Sequence, residues 1–386
     1  MALQADGRNA LLVAAARLAV SLGVLASGFQ AVSDDDYARI VIAQSFAHAP
    51  SLDPSGTSWL PLPFWVTGGA MMAFGSTLAV ARVVAVLLGV LAALAVYVAG
   101  RWLDLPPGRA LAAALLACAI PYSAVFGVAA VPDGPTAALI VLGMTGATSP
   151  VTSRRTLAGV ALGAACLSRY EAWPVAAGFA LLAAWDAARA RRAAPLLAAV
   201  IASAPALAWM AHGALAHGDA FFFVKRVAAY REALGLPAPS LIARLCAAPL
   251  SVLRSEPEIT SAAVIVALLA RRELARYRRV ALLAALLIGF LVIGDVRGSA
   301  PTHHVERAVL SVWLVAAIVL ADLAPMLLAG RSSRVVAGAL AAAVTLGSLV
   351  VRPWFARRDA FADRSRELAA GTHARTFVLA PARLLS

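Results

Sequence analysis

Charge is scarce in this chain: Asp, Glu, Lys and Arg make up 14% of its 386 residues, against roughly a quarter in a soluble globular domain. Hydrophobic residues reach 62% and mean hydropathy is +0.83, which excludes an ordinary soluble domain. Cysteine is equally sparse. Cys118, Cys166 and Cys246 are too few and too scattered for a disulfide framework or a thiolate metal site, and read as small apolar residues. No glycine-rich phosphate-cradling loop stands between strand and helix, so a nucleotide-binding domain is not expected. Lysine is nearly missing: Lys225 is the only one, and the net charge of +13 rests on arginine. Those arginines lie dispersed in small clusters between apolar runs, with no aromatic residues interleaved as stacking platforms, so nucleic acid is not an expected partner.

What the chain does have is one apolar run after another. The expected fold class is all-α, a polytopic membrane protein of about 11 transmembrane helices, given about 20 apolar residues per crossing. The candidate spans are 10–30, 78–100, 109–129, 135–148, 157–167, 172–188, 195–215, 259–270, 280–294, 305–323 and 335–351. Laid in order, they put Arg101, Arg109, Arg154, Arg155, Arg189, Arg191, Arg192, Arg271, Arg272, Arg276, Arg278, Arg279, Arg331 and Arg334 on one side, cytoplasmic by the positive-inside rule. Residues 1–352 form one membrane domain, with long outer loops at 33–74 and 218–258, and 353–386 form a short extracytoplasmic tail. The first run leads straight into an acidic cluster and reads as an uncleaved anchor rather than a secretory signal. The arginine-for-lysine bias fits a GC-rich bacterial genome. The expected location is therefore a bacterial inner (cytoplasmic) membrane, multi-pass, with the functional groups facing the periplasm.

Both long outer loops have an interfacial character. The first opens on a helical segment containing Tyr37 and Ile40 and continues into a Pro- and Trp-rich stretch around Trp59; the second mixes Phe221, Phe222 and Phe223 with Lys225, Arg226, Arg231, Arg244 and Arg254. Such a surface suits a substrate with a lipid tail and a charged head.

Four constellations carry candidate chemistry. Asp34, Asp35 and Asp36 follow the first span directly. Adjacent like charges raise one another's pKa, and a carboxylate against an apolar wall can serve as general base; the same acids also suit the N-cap of the helix starting near Tyr37, although a cap needs only one. Asp133, within Pro132-Asp133-Gly134-Pro135, reads by itself as an acid in the first turn of a Pro-started helix. Arg169, Tyr170, Glu171 and Trp173 gather a cation, an acid and two aromatics between two spans; they fit either a substrate site or an interfacial ion pair with aromatic anchors. Last, Thr302-His303-His304-Val305-Glu306-Arg307 opens a late span. On a helix start His303 and Arg307 stand four residues apart on one face, suited to gripping a phosphate, while His303, His304 and Glu306 match no strong zinc spacing.

The order and sidedness of these motifs resembles the GT-C superfamily of polytopic glycosyltransferases, among them the protein O-mannosyltransferases, the lipid A aminoarabinose transferase and the endoplasmic-reticulum mannosyltransferases. The resemblance runs from residue 10 to about residue 323. In that family the acid of the first loop is thought to deprotonate the acceptor; Asp35 falls in the motif under either register, with Asp34 or Asp36 beside it, and Asp133 takes the place of a second acid. His304 and Arg307 resemble the His-Lys-Glu-Glu-Arg-Phe motif, although the Lys and the final aromatic are absent here. The resemblance implies an inverting transfer of a hexosyl or mannosyl-type sugar from a polyprenyl-phosphate donor to a glycan, lipid or protein acceptor. Asp35 would be the base, His303, His304, Arg307 and Arg169 would hold the donor phosphate, and Tyr37, Arg39, Trp59, Tyr170, Glu171 and Glu306 would line the substrate site. No cofactor is assigned; a divalent metal is left open because family members differ. The alternative function class is a secondary transporter, or a flippase or polymerase of lipid-linked glycans, and product analysis separates these.

Overall fold

A computed structural model describes residues 2–233, 240–298 and 304–329. Among the described residues the chain is helical and holds no strand. The helices run in chain order as α1 (Ala2–Ala26), α2 (Asp34–His48), α3 (Leu62–Phe74), α4 (Leu78–Trp102), α5 (Pro107–Ala119), α6 (Pro121–Phe126), α7 (Asp133–Gly146) and α8 (Thr152–Cys166). They continue as α9 (Ala172–Ala190), α10 (Ala194–His217), α11 (Phe222–Ala233), α12 (Leu241–Ser255), α13 (Pro257–Leu269), α14 (Arg278–Val296), α15 (Val305–Ala308) and α16 (Leu310–Leu328).

Among the described residues five helical segments are long and apolar enough to cross a membrane: Ala5–Ala26, Leu78–Trp102, Ala194–His217, Glu273–Val296 and Leu310–Leu328. Leu62–Phe74, Pro107–Ala119 and Pro257–Leu269 are apolar but shorter. The described residues thus carry fewer full-length crossings than the eleven expected, and two of the expected runs are interrupted. Run 109–129 is not one helix, because Ile120 precedes Pro121 and takes an extended backbone (φ −63°, ψ 123°) that ends α5 and starts α6. Run 305–323 is also interrupted, at Val309 between α15 and α16. The expected span 335–351, the tail 353–386, His303, Arg331 and Arg334 lie outside the described residues.

The bundle centres on α7, which is buried along almost its whole length and packs against α4, α8 and α16. Because lipid tails are as apolar as leucine, close contact between helices must come from small residues rather than from hydrophobicity alone. Gly159 and Gly163 on α8 show this: an added Cβ would stand 2.6 Å from the Ala198 carbonyl oxygen and 2.9 Å from that of Ile201, both on α10. Their spacing is the four-residue spacing of small residues along one helix face.

Charge is sorted to the two ends of this bundle. At one end Asp322, fully buried, pairs with Arg109 and Arg276 and accepts from Tyr277 Oη at 2.6 Å. At the same end Asp186 takes Arg155 at 2.8 Å and Arg279 at 2.6 Å. Many of the arginines expected on one side are therefore held in ion pairs there. The other end carries α2, the α8–α9 loop, α15 and the start of α7.

Candidate functional site

Each residue of the site is placed by a short local device. Asp36 seats the start of α2: its Oδ2 accepts from the backbone amides of Val32 at 3.0 Å and Ser33 at 3.4 Å, and its Oδ1 from Ala130 at 2.7 Å. One acid thus caps a helix and ties it to the segment leading into α7. Asp35, one residue earlier, is released from capping and is 40% exposed at its side chain. Arg39 lies four residues beyond Asp35, on the same helical face. Asp133 opens α7 and is fully buried. Arg169 and Glu171 sit in the turn between α8 and α9, and this turn is pinned to the start of α3 by Leu62 N donating to Leu167 O at 3.0 Å. Arg307 lies in α15.

These side chains converge. Arg307 donates from Nε to Asp133 Oδ1 at 3.0 Å and from Nη2 to Asp133 Oδ2 at 3.1 Å, a two-pronged fork, and its Nη1 reaches Asp35 Oδ2 at 3.1 Å. Arg169 Nη1 adds a contact to Asp133 Oδ1 at 2.8 Å, and its Nε donates to Glu171. Arg39 completes the group in a different way: its guanidinium lies over the Trp59 ring at 4.4 Å and the Phe64 ring at 5.6 Å, is 7% exposed, and leaves Nε and Nη1 without a hydrogen-bond partner.

The electrostatics follow from that packing. Burial raises the pKa of Asp133, but Arg169 and Arg307 more than offset it and hold the carboxyl down at about 2. For Arg39 burial dominates and lowers the pKa to about 10, with Asp133 and Asp35 opposing and the neighbouring guanidiniums of Arg169 and Arg307 reinforcing. Asp35, Asp133 and Glu171 balance Arg39, Arg169 and Arg307, three charges of each sign. A buried guanidinium whose donors are unsatisfied is costly. An anion arriving beside Arg39 would relieve that cost.

The remaining expected residues stand apart from this group. Asp34 and Tyr37 are exposed on α2. His304 pairs with Glu306 at 3.2 Å and is half exposed. Tyr170 is buried in an aromatic cluster, stacked on Phe223 with ring centroids 4.2 Å apart and packed near Trp173 and Trp209. Phe222 and Phe223 of the second outer loop thus turn inward onto the α8–α9 turn, while Phe221 remains exposed. The sequence reading did not single out Asp53, His212 and His217, whose possible ligand atoms lie within 4.8 Å of one another. Their separation along the chain hides them, since no short motif joins a loop aspartate to the end of α10.

Comparison with known proteins agrees with this architecture. A family model described as dolichyl-phosphate-mannose-protein mannosyltransferase matches residues 54–212. The structure is similar to that of ArnT from Cupriavidus metallidurans bound to undecaprenyl phosphate, with a TM-score of 0.53 and 18% identity, covering 82% of this chain and 60% of that one. It is also similar to the apo oligosaccharyltransferase of Archaeoglobus fulgidus, with a TM-score of 0.50 and 16% identity, covering 88% of this chain and 54% of that one. The chain therefore spans little more than half the length of these structures. No curated protein matches it in sequence. The family model takes in Asp133 and the turn that bears Arg169, and the fold of this chain is similar to that of ArnT and of the archaeal oligosaccharyltransferase.

Proposed function

We propose that the chain is an integral-membrane inverting glycosyltransferase that moves a sugar from a polyprenyl-phosphate donor to an acceptor hydroxyl on the periplasmic side of a bacterial inner membrane. The observation that carries the reading is the asymmetry of the ionic cluster. Asp133 is gripped on both oxygens and fully buried, whereas Asp35 keeps access to solvent while touching the same arginine. A general base must reach the proton it takes, and Asp35 is the acid of the cluster that can.

In the reaction the acceptor oxygen attacks the anomeric carbon, the bond from that carbon to the phosphate oxygen breaks, and Asp35 takes the acceptor proton. Polyprenyl phosphate leaves with the bonding electron pair. A single displacement inverts the anomeric centre. Arg39 supplies the open donors for the departing phosphate, and Arg307, with Asp133 behind it, orients Asp35 and adds positive charge nearby. Arg169, closed by Asp133 and Glu171, holds Asp133 in place rather than meeting the phosphate directly. Residues 1–352 would form the catalytic domain and 353–386 its outer tail. ArnT was solved with undecaprenyl phosphate, and a donor of that class suits a site in which the Trp59 and Phe64 rings lie over Arg39.

The test is transfer of radiolabelled sugar from a panel of polyprenyl-phosphate sugars in membranes containing the wild type or Asp35→Asn. Label is expected in a new product with the wild type only, with the variant folded and inserted, since Arg307 keeps its fork on Asp133. Equal transfer by Asp35→Asn removes Asp35 from the base role. No transfer from any donor turns the reading towards a transporter or flippase.

A further inference from the structure

Asp53, His212 and His217 form a second polar cluster that the glycosyl-transfer reading does not use. Asp53 belongs to the segment between α2 and α3, and His212 and His217 lie in the last turns of α10. Asp53 Oδ2 stands 3.8 Å from His217 Nε2, longer than a hydrogen bond, and one ligand atom from each of the three residues falls within 4.8 Å of the others. His212 Nε2 is buried and has no hydrogen-bond partner. An imidazole nitrogen shut from water without a partner is costly.

The surroundings hold the donors in place. Asp53 Oδ1 accepts from Ser55 Oγ at 3.2 Å and from Gly56 N at 3.0 Å, which fixes the carboxylate and leaves Oδ2 towards the histidines. His217 packs against the Phe222 ring at 4.2 Å and His212 against Trp209 at 4.9 Å. Carboxylates and imidazoles oriented by neighbouring hydrogen bonds and packing are what metal sites use to set ligand direction.

We propose that Asp53, His212 and His217 bind a zinc-class divalent transition metal. Two imidazoles and one carboxylate are the ligand types such an ion takes, with a fourth position left for water. Ligand atoms around tetrahedral zinc sit roughly 3.3 Å apart, so the three residues are a little more open than a loaded site. The metal satisfies His212 Nε2 and clips the loop bearing Asp53 to the end of α10. Arg226 donates to Gly56 O in the same loop, so the clip reinforces a contact already made from α11. The loop also carries Trp59, which covers Arg39, but the inference stands apart from the glycosyl-transfer reading and is tested without it.

The experiment uses the untagged full-length protein in detergent, titrated with zinc against a chromophoric chelator and separately loaded with cobalt. Expected are about one tightly held zinc per chain and a tetrahedral cobalt absorption band. Asp53→Asn, His212→Ala and His217→Gln should each weaken zinc binding at least as much as the roughly 10–100-fold loss typical of residues that merely support a metal ligand. His48→Ala, an exposed histidine at the end of α2, should bind as the wild type does. Absence of both zinc uptake and the cobalt band in the wild type overturns the proposal, and the wild-type measurement stands even where a variant fails to fold. Zinc binding unchanged in all three variants overturns it equally, because the metal then sits elsewhere.

Discussion

Replacing Asp133 by Asn removes the carboxylate that both Arg169 and Arg307 grip, and it leaves the three buried guanidiniums of the cluster with only Glu171 and the half-exposed Asp35 as counter-charges. Breaking a buried ion pair from one side costs about 3–5 kcal/mol. Asp133→Asn is therefore expected to lower the unfolding midpoint in detergent markedly, whereas Asp35→Asn, at a partly exposed position, leaves it close to the wild type. The same carboxyl sets an acid limit. Its folded pKa of about 2 lies below the ordinary 3.8, so the stability it contributes is complete above that ordinary value and is lost as pH falls through about 2. Unfolding measured between pH 5 and pH 2 should show this loss in the wild type and not in Asp133→Asn. Arg39 makes the opposite kind of prediction, because its Nε and Nη1 make no hydrogen bond within the protein. Arg39→Ala should weaken apparent donor affinity by about ten- to hundred-fold, the value of a charge-assisted hydrogen bond, with little change in melting. Unchanged donor affinity would remove Arg39 from the phosphate.

Among the elements, the contact of α8 with α10 decides where the α8–α9 turn, and hence Arg169, sits. Gly159→Val puts branched atoms where even a Cβ would stand 2.6 Å from the Ala198 carbonyl. Backbone cannot yield as a flexible side chain can, so the helices must separate, at about 1–3 kcal/mol for overpacking. The expected result is reduced thermal stability together with reduced turnover, while the exposed Gly7→Ala changes neither. How much of the site could be read from the chain divides along the same line. Local relations were legible: the acidic cap of α2, realised by Asp36, the Arg169–Glu171 pair, and Asp133 in the first turn of α7. The fork from Arg307 to Asp133 joins residues 174 positions apart and leaves no trace in spacing. The break at Pro121 was visible as a proline, but the length of the apolar run around it outweighed it in a count of spans.

For the whole molecule, sidedness is the claim on which the proposed chemistry depends. Asp35, Asp133 and Arg307 gather at one end of the bundle, and the Asp186 and Asp322 ion pairs at the other, with α4, α7 and α16 running between. By the positive-inside rule the arginine-rich end is expected to face inward, and the proposed reaction then takes place at an outward-facing Asp35 end. The chain offers a clean test because Cys118 and Cys166 are buried and only Cys246 is exposed. In a Cys246→Ser background, Tyr37→Cys places a thiol on exposed α2 beside the site, and Arg191→Cys places one in the α9–α10 turn at the opposite end. A membrane-impermeant maleimide added to intact spheroplasts should label the first and reach the second only after permeabilisation. Labelling in the reverse order would put Asp35 in the cytoplasm and undo the periplasmic assignment while leaving the ionic cluster as it is. Labelling of both thiols in intact cells would mean that the bundle does not separate two compartments, and the membrane-spanning architecture itself would have to be redrawn.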